Sequence, residues 1–430
     1  MHSADMTTDS SSRSNGEDSV SPLQPQLPLL TAGMQGIGGN IKTIPSDFVV
    51  EEIPLYEFSG TGTHVFFYVQ KKGLTTAETI SRLSQALGVR RFDIGYAGRK
   101  DSNAITRQWF SLEHIDPEKL KQLKLNKIKI LDITRHNNKL KVGHLKGNRF
   151  TIRIRNLHCP LQEAEALAQK ILDVLCRRGV PNYFGPQRFG YRYDTHLLGE
   201  ALVKNDIQRF FDFLLGHPEL ESQPEFVPAR TLYHQGNFQA AYEAWHPGFR
   251  DHRDGLKAII QSNGNLNKAL RAMDRRLLSL FVSAWQSDLF NEVLAKRIDK
   301  IDIVLEGDMA YKHDNGACFR VENPSAEQPR CAAFEISPTG PLLGARMMEL
   351  TGPAGEIENP ILQKTTLAPE DYIRIKRYGG AGGRRPLRFL PKNIRLTTSR
   401  DDHGDFLQLS FELPSGCYAT VLLREITKKQ

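Results

Sequence analysis

The segment RFTIRIRNL (Arg149–Leu157) alternates strictly. Phe150, Ile152 and Ile154 fall on one side, and Arg149, Thr151, Arg153 and Arg155 on the other. That period of two dictates a β-strand with one face in a core, so the chain must build a sheet with a buried side. Other segments supply partners. SDFVVEEI (Ser46–Ile53) and HVFFYVQKKG (His64–Gly73) read as strands, the second ending at a glycine turn. KIKILDI and KLKVGHL read as a hairpin across TRHNN. FLQLSFELP (Phe406–Pro414) and YATVLLREI (Tyr418–Ile426) read as a closing hairpin across a Ser-Gly turn.

Helical signals lie between these strands. Thr75 or Thr76 is an N-cap candidate, Ile80, Leu83 and Leu87 recur at helical spacing, and Gly88 is a natural C-cap. LQEAEALAQKILDVLCRRG (Leu161–Gly179) is amphipathic, with Leu167, Ile171, Leu172 and Leu175 as its apolar stripe. From about Leu197 to Lys300 the chain reads as mostly helical; residues 302–365 read as short strands between Pro/Gly turns, and Gly379–Pro386 as a glycine loop. Strands at both ends around a helical middle predict an α+β fold: a discontinuous domain on a mainly antiparallel sheet, with an inserted α-rich lobe. The predicted boundaries are a disordered tail (1–35), the first part of the sheet domain (36–190), the lobe (191–385) and the second part of the domain (386–430).

Composition narrows the partners. Lys plus Arg number 57 against 49 for Asp plus Glu, a net +8 that permits a nucleic-acid partner without demanding one. The five cysteines are scattered with no C-x-x-C pair, which argues against zinc and disulfides and for a reducing, cytoplasmic setting. No apolar run reaches the roughly 18 residues of a membrane span. Asp5, Asp9, Glu17 and Asp18 argue against a transit peptide. The glycine loop lacks the G-K-[ST] of a phosphate-binding loop, and no H-E-x-x-H or G-x-S-x-G occurs.

Four stretches could carry chemistry. In GYAGRKDSNAITRQWF (Gly95–Phe110), Asp101 follows Arg99 and Lys100 directly. The ordinary reading is a turn with an ion pair; the sharper one is a carboxylate kept ionised by neighbouring cations, fit to act as nucleophile, base or metal ligand. In KGNRFTIRIR (Lys146–Arg155), basic residues could track phosphates while Phe150 stacks on a base, or simply be solvated. VPNYFGPQRFG (Val180–Gly190) interleaves Tyr183, Phe184 and Phe189 with Asn182, Gln187 and Arg188, either to read unpaired bases or as a loop with core aromatics. Arg424 and Glu425 end an apolar run and read as a solvated strand terminus or as a buried functional pair; in a strand they would point to opposite faces.

In this order, DFVVEEI, YAGRKDSNAITRQWF, KGNRFTIRIR, GVPNYFGPQRFG and PSGCYATVLLREI together resemble the TruD family of RNA pseudouridine synthases, over roughly Lys42 to Thr427. The resemblance implies a pseudouridine-synthase domain with a TRUD-type lobe and the isomerisation of a uridine in tRNA, uridine 13 in bacterial members. It carries the catalytic role to Asp101 and substrate-binding roles to Phe48, Asn148, Phe150 and Tyr418, the last standing where Phe is common. Supporting roles are expected for Glu52, Lys100, Gln108, Gln187, Arg188, Arg424 and Glu425. Arg153, Arg155, Arg188 and the RAMDRR segment (Arg271–Arg276) are candidate phosphate contacts. The uridine would be flipped out of its stack. No cofactor and no metal are expected, because bond breaking and bond making balance; a monomer is expected. Whether Asp101 attacks C1′, attacks C6 or removes a ribose proton stays open. The competing readings are a non-catalytic RNA-binding or RNA-chaperone protein, and a metal-dependent nuclease that the lack of a nearby second acid disfavours.

Overall fold

The structure is a computed structural model that describes residues 21–100 and 104–429. Along the chain, β1 (Gly38–Asn40), β2 (Phe48–Pro54) and β3 (His64–Lys72) lead into α1 (Thr76–Leu87). Then come β4 (Gly95–Tyr96), β5 (Ile105–Glu113), the short α2 (Pro117–Lys121), β6 (Ile128–His136), β7 (Leu145–Leu157), α3 (Leu161–Arg178) and β8 (Val180–Pro181). A helical run follows: α4 (Thr195–Val203), α5 (Ile207–Leu215), α6 (Val227–His234), α7 (Phe238–Ala244), α8 (Arg250–Gln261), α9 (Leu266–Ala272) and α10 (Arg275–Arg297). The remainder is β9 (Met309–Lys312), β10 (Cys318–Arg320), α11 (Pro324–Ala332), β11 (Ile336–Leu342), α12 (Gly352–Gln363), α13 (Pro369–Arg377), β12 (Gly383–Pro386), β13 (Arg388–Phe389), β14 (Lys392–Asp401), β15 (Gly404–Pro414) and α14 (Ala419–Thr427).

Packing divides the chain into two units. One joins Leu27–Gly185 to Gln286–Gln430; the other contains residues 21–26 and Pro186–Trp285. The lobe expected over 191–385 is thus split, with residues 286–385 packing in the same unit as the sheet.

The sheet unit is built on nine strands in the order β14-β15-β7-β2-β5-β3-β6, with β1 added on β7 and β4 on β5. All pairings are antiparallel except β2 with β5. The alternation in β7 is realised as expected: Phe150, Ile152 and Ile154 are buried and pack with Ile171, Leu172 and Leu175 of α3. The helix signals also hold. Thr75 caps α1 in a reciprocal capping box with Glu78, and Gly88 ends it in the left-handed region at φ 68°. Gly147 allows a close approach, because a Cβ there would lie 2.1 Å from the Leu413 carbonyl oxygen. Any side chain would push β15 away from β7 next to Asn148.

Several expectations are corrected. The closing hairpin is β14 with β15, and YATVLLREI is helical. Its Tyr, Thr and Val favour strands, yet buried Ala419, Leu422, Leu423 and Ile426 follow the helical 0, 3, 4, 7 spacing. KLKVGHL forms no hairpin arm. Val142 is exposed and Gly143 has φ 94°, so β6 pairs with β3 instead. Residues 302–365 hold two helices, α11 and α12, whose internal Pro329 and Pro360 hid the helical reading. RAMDRR straddles two helices, ending α9 and starting α10 with a break at Met273 and Asp274. Of the tail assigned to 1–35, residues 1–20 lie outside the described residues. From Ser21 to Gln35 buried and exposed residues alternate irregularly; Ser21 and Thr31 are buried, and the Thr31 hydroxyl donates to Glu425 of α14.

The helical unit has its own core, in which Phe210, Phe211, Leu214 and Leu215 of α5 are buried. Arg192 and Arg230 are buried there too, each paired with a carboxylate, Asp194 and Glu221 respectively, and both donating to the Gly216 carbonyl.

Candidate active site

Strand register places the site residues on one sheet face. A first row across β15, β7, β2, β5 and β3 runs Leu413, Asn148, Glu52, Gln108, Val69; the next runs Phe411, Phe150, Val50, Thr106, Lys71. Phe48 lies opposite Ile152 in the row beyond. The face thus carries rings toward one side and a belt of polar side chains through its middle.

That belt grips the loop between β4 and β5. Lys100 Nζ lies 3.1 Å from Glu52 Oε2, and both side chains are almost fully buried. The second Glu52 oxygen accepts the Trp109 backbone N–H at 3.3 Å. Burial pushes the Glu52 carboxyl above its usual range, and the Lys100 ammonium works against that shift. Gln108 donates from Nε2 to the Gly98 carbonyl at 3.1 Å, and the Lys100 N–H donates to Thr76 Oγ1 at 2.9 Å. On the far side of the loop, Gly73 N–H donates to the Ala104 carbonyl at 3.3 Å. Asp101 itself lies outside the described residues, as do Ser102 and Asn103; their two flanks are held by these bonds.

Rings and an amide stand beside the belt. The Phe150 ring stacks on Phe411 at 5.3 Å and meets Phe48 edge-on at 6.2 Å. Lys42 Nζ lies 4.5 Å above the Phe48 ring, a cation–π arrangement. Phe48 and Phe150 belong to the hydrophobic core, whereas Tyr418 is half-buried at the start of α14, 6.1 Å from the Phe184 ring. Asn148 Oδ1 is buried and has no hydrogen-bond partner among the described residues; the same is true of Thr106 Oγ1. A buried acceptor without a partner is costly unless something else supplies the bond.

The chain matches the family model described as tRNA pseudouridine synthase D (TruD) over residues 26–426. The chain belongs to the TruD family. Relatives named tRNA pseudouridine synthase D include that of Geotalea daltonii, 42% identical over 93% of this chain and 99% of that one. Another, from Geobacter metallireducens, is 43% identical over 93% and 97% of the two chains. The crystal structure of a Methanosarcina mazei chain described as TruD aligns with a TM-score of 0.77 at 27% identity, over 94% of this chain and 96% of that one. The expected family, α+β fold and enzyme class all stand, and a TruD-family chain is a pseudouridine synthase, an isomerase.

The structure brings Phe48, Glu52, Lys100, Gln108, Asn148 and Phe150 together in the sheet unit. Gln187 and Arg188 belong to the helical unit, where Arg188 bonds the Ser283 hydroxyl. Glu425 is fully buried rather than a solvated end: its carboxylate accepts Leu30 N–H, Thr31 N–H and the Thr31 hydroxyl. Arg424 reaches the Pro28 carbonyl and lies 5.4 Å from the Tyr183 ring. In the VPNYFGPQRFG loop, Asn182, Tyr183 and Phe189 are buried, so these are core groups and not base readers. Arg155 is also corrected: it is buried and chelated by Asp47 and Asp401, while Arg153 pairs with Asp401. Sequence reasoning missed Lys71, which the β3–β5 register sets opposite Thr106, and Thr76, the first residue of α1, whose hydroxyl accepts the Lys100 N–H. Among the described residues, no cluster of His, Cys, Asp and Glu could hold a metal, and no helix is long and apolar enough to cross a membrane.

Proposed function

We propose that this chain binds tRNA and converts one uridine, that at position 13, to pseudouridine, with Asp101 as the reactive carboxylate. The C1′–N1 bond breaks, the freed uracil turns, and C1′–C5 forms; C5 gives up its hydrogen to solvent and N1 takes up a proton. Atoms and electrons balance without a co-reactant. The observation that carries the reading is the clamp on both flanks of Asp101, made by Glu52, Gln108 and Thr76 and by Gly73. A nucleophile must be held in a near-attack geometry, and a belt of buried hydrogen bonds does that better than a solvated turn.

A stacked uridine is out of reach, so it is flipped out at a cost of a few kcal/mol. Tyr418, half-exposed, stacks on the extruded base, and aromatic stacking offsets about 1–3 kcal/mol. Asn148 Oδ1, the buried acceptor, takes the hydrogen bond of uracil N3–H. Phe48 and Phe150 form the apolar floor under that base.

The test is tritium release from tRNA carrying 5-tritiated uridine, combined with pseudouridine mapping at position 13. Wild-type protein is expected to release tritium and Asp101→Asn to bind tRNA without release. Turnover by Asp101→Asn removes the mechanism. Tight tRNA binding by the wild type with no release at all leaves an RNA-binding protein on the same scaffold.

A further inference from the structure

We infer that Thr76 and Lys71 are positioning residues for the isomerisation, setting the Asp101 segment from the β3–α1 side. The inference rests on the reading of Asp101 as the reactive carboxylate. The Thr76 hydroxyl does two things at once. It accepts the Lys100 N–H at 2.9 Å and donates to Gln108 Oε1 at 3.0 Å; Gln108 then donates to the Gly98 carbonyl at 3.1 Å. One hydroxyl therefore ties the main chain at residues 98 and 100, just before Asp101.

Thr76 is well suited to be such a fixed point. It is the first residue of α1, 3% exposed, and the helix start is locked by the Thr75–Glu78 capping box. Lys71 closes the same side. Its ammonium, on a side chain 1% exposed, donates to the Leu74 carbonyl at 2.5 Å and reaches the Lys100 carbonyl at 3.5 Å. The turn between Lys71 and Thr76 also supplies Gly73 N–H to the Ala104 carbonyl. The β3–α1 connection thus holds the segment before and after residues 101–103. Replacing the Thr76 hydroxyl by a methyl leaves Lys100 N–H and Gln108 Oε1 unpartnered in a water-poor place. The relief is a shift of the loop, and a displacement of about 1 Å at a reacting group costs about a hundredfold in rate. Neither side chain is assigned to the substrate pocket, so the effect belongs to the chemical step and not to RNA affinity.

The experiment compares Thr76→Val, Thr76→Ser and Lys71→Met in the full chain, reading single-turnover tritium release, tRNA affinity and thermal melting. Thr76→Val and Lys71→Met are expected to slow release roughly 10- to 100-fold, with tRNA affinity near that of the wild type. Thr76→Ser, which keeps the hydroxyl, restores most of the rate. Release at the wild-type rate by Thr76→Val overturns the inference, as does a Thr76→Ser variant as slow as Thr76→Val. Should Thr76→Val fail to fold, Thr76→Ser against Thr76→Ala decides by the same criterion. Asp101→Asn run in parallel separates the two readings. If it turns over, the assignment of Asp101 falls; if it is inert while Thr76→Val runs at full rate, only the positioning role falls.

Discussion

Glu52 Oε2 and Lys100 Nζ form an ion pair at 3.1 Å in which neither side chain exposes more than about a twentieth of its surface. The pair spans two strands' worth of structure, joining β2 to the residue that precedes Asp101. A buried pair of this kind adds little net stability against an apolar replacement, but losing one partner strands the other.

Glu52→Gln and Lys100→Met are therefore each expected to destabilise the fold by about 3–5 kcal/mol. The double variant should recover part of that loss. Urea midpoints measure it; single variants that melt like the wild type contradict the buried pair.

Asn148→Ala separates fold from function. It removes a buried acceptor that has no partner among the described residues, so stability should hold or rise slightly. Tritium release should fall by one to two orders of magnitude, about 1.4–2.8 kcal/mol, the scale of leaving the uracil N3–H unpaired in a buried site. Equal damage to stability and rate is the result that speaks against a substrate role.

Tyr418 and Phe150 should behave differently from each other. Phe150, stacked on Phe411 in the core, is expected to cost about 3–5 kcal/mol of stability as Phe150→Ala. Tyr418→Leu should leave melting nearly unchanged and lower kcat/KM about 5- to 100-fold, with Tyr418→Phe near the wild type because the ring is kept. A Tyr418→Leu enzyme with full kcat/KM removes stacking by that ring.

Acid sensitivity should trace to Asp401. Hydrogen bonds from the Arg155 guanidinium hold its carboxyl well below the usual range. A depressed carboxyl stabilises the fold above its unfolded pKa, about 4, and loses that contribution as pH falls toward its folded value. Asp401→Asn should flatten the decline in urea midpoint below about pH 4, and curves that stay parallel to the wild type refute the assignment.

Binding of tRNA is expected to weaken steeply with salt, with a log–log slope proportional to the phosphates contacted. Arg155→Met should lower stability without changing that slope, since the side chain is buried between Asp47 and Asp401. A shallower slope in that variant restores Arg155 as a phosphate ligand.

Local pattern determined a good deal of this protein. The period-two run of β7, the capped helix α1 and the order of five motifs follow from neighbours along the chain, because side-chain alternation and capping are short-range physics. Thus the family and the α+β class were legible, as were Phe48, Asn148 and Phe150 as one group. Tertiary structure decided the rest. Tyr418–Ile426 has strand-like composition, and only its packing made it a helix. Arg155 and Glu425 look like surface charges until Asp47, Asp401 and Thr31 arrive from distant segments to pair with them. Lys71 and Thr76 carry no motif of their own. They matter through register and packing, because β3 and α1 happen to face the loop that starts at Gly98, and a chain cannot announce which strands will lie side by side before it has folded.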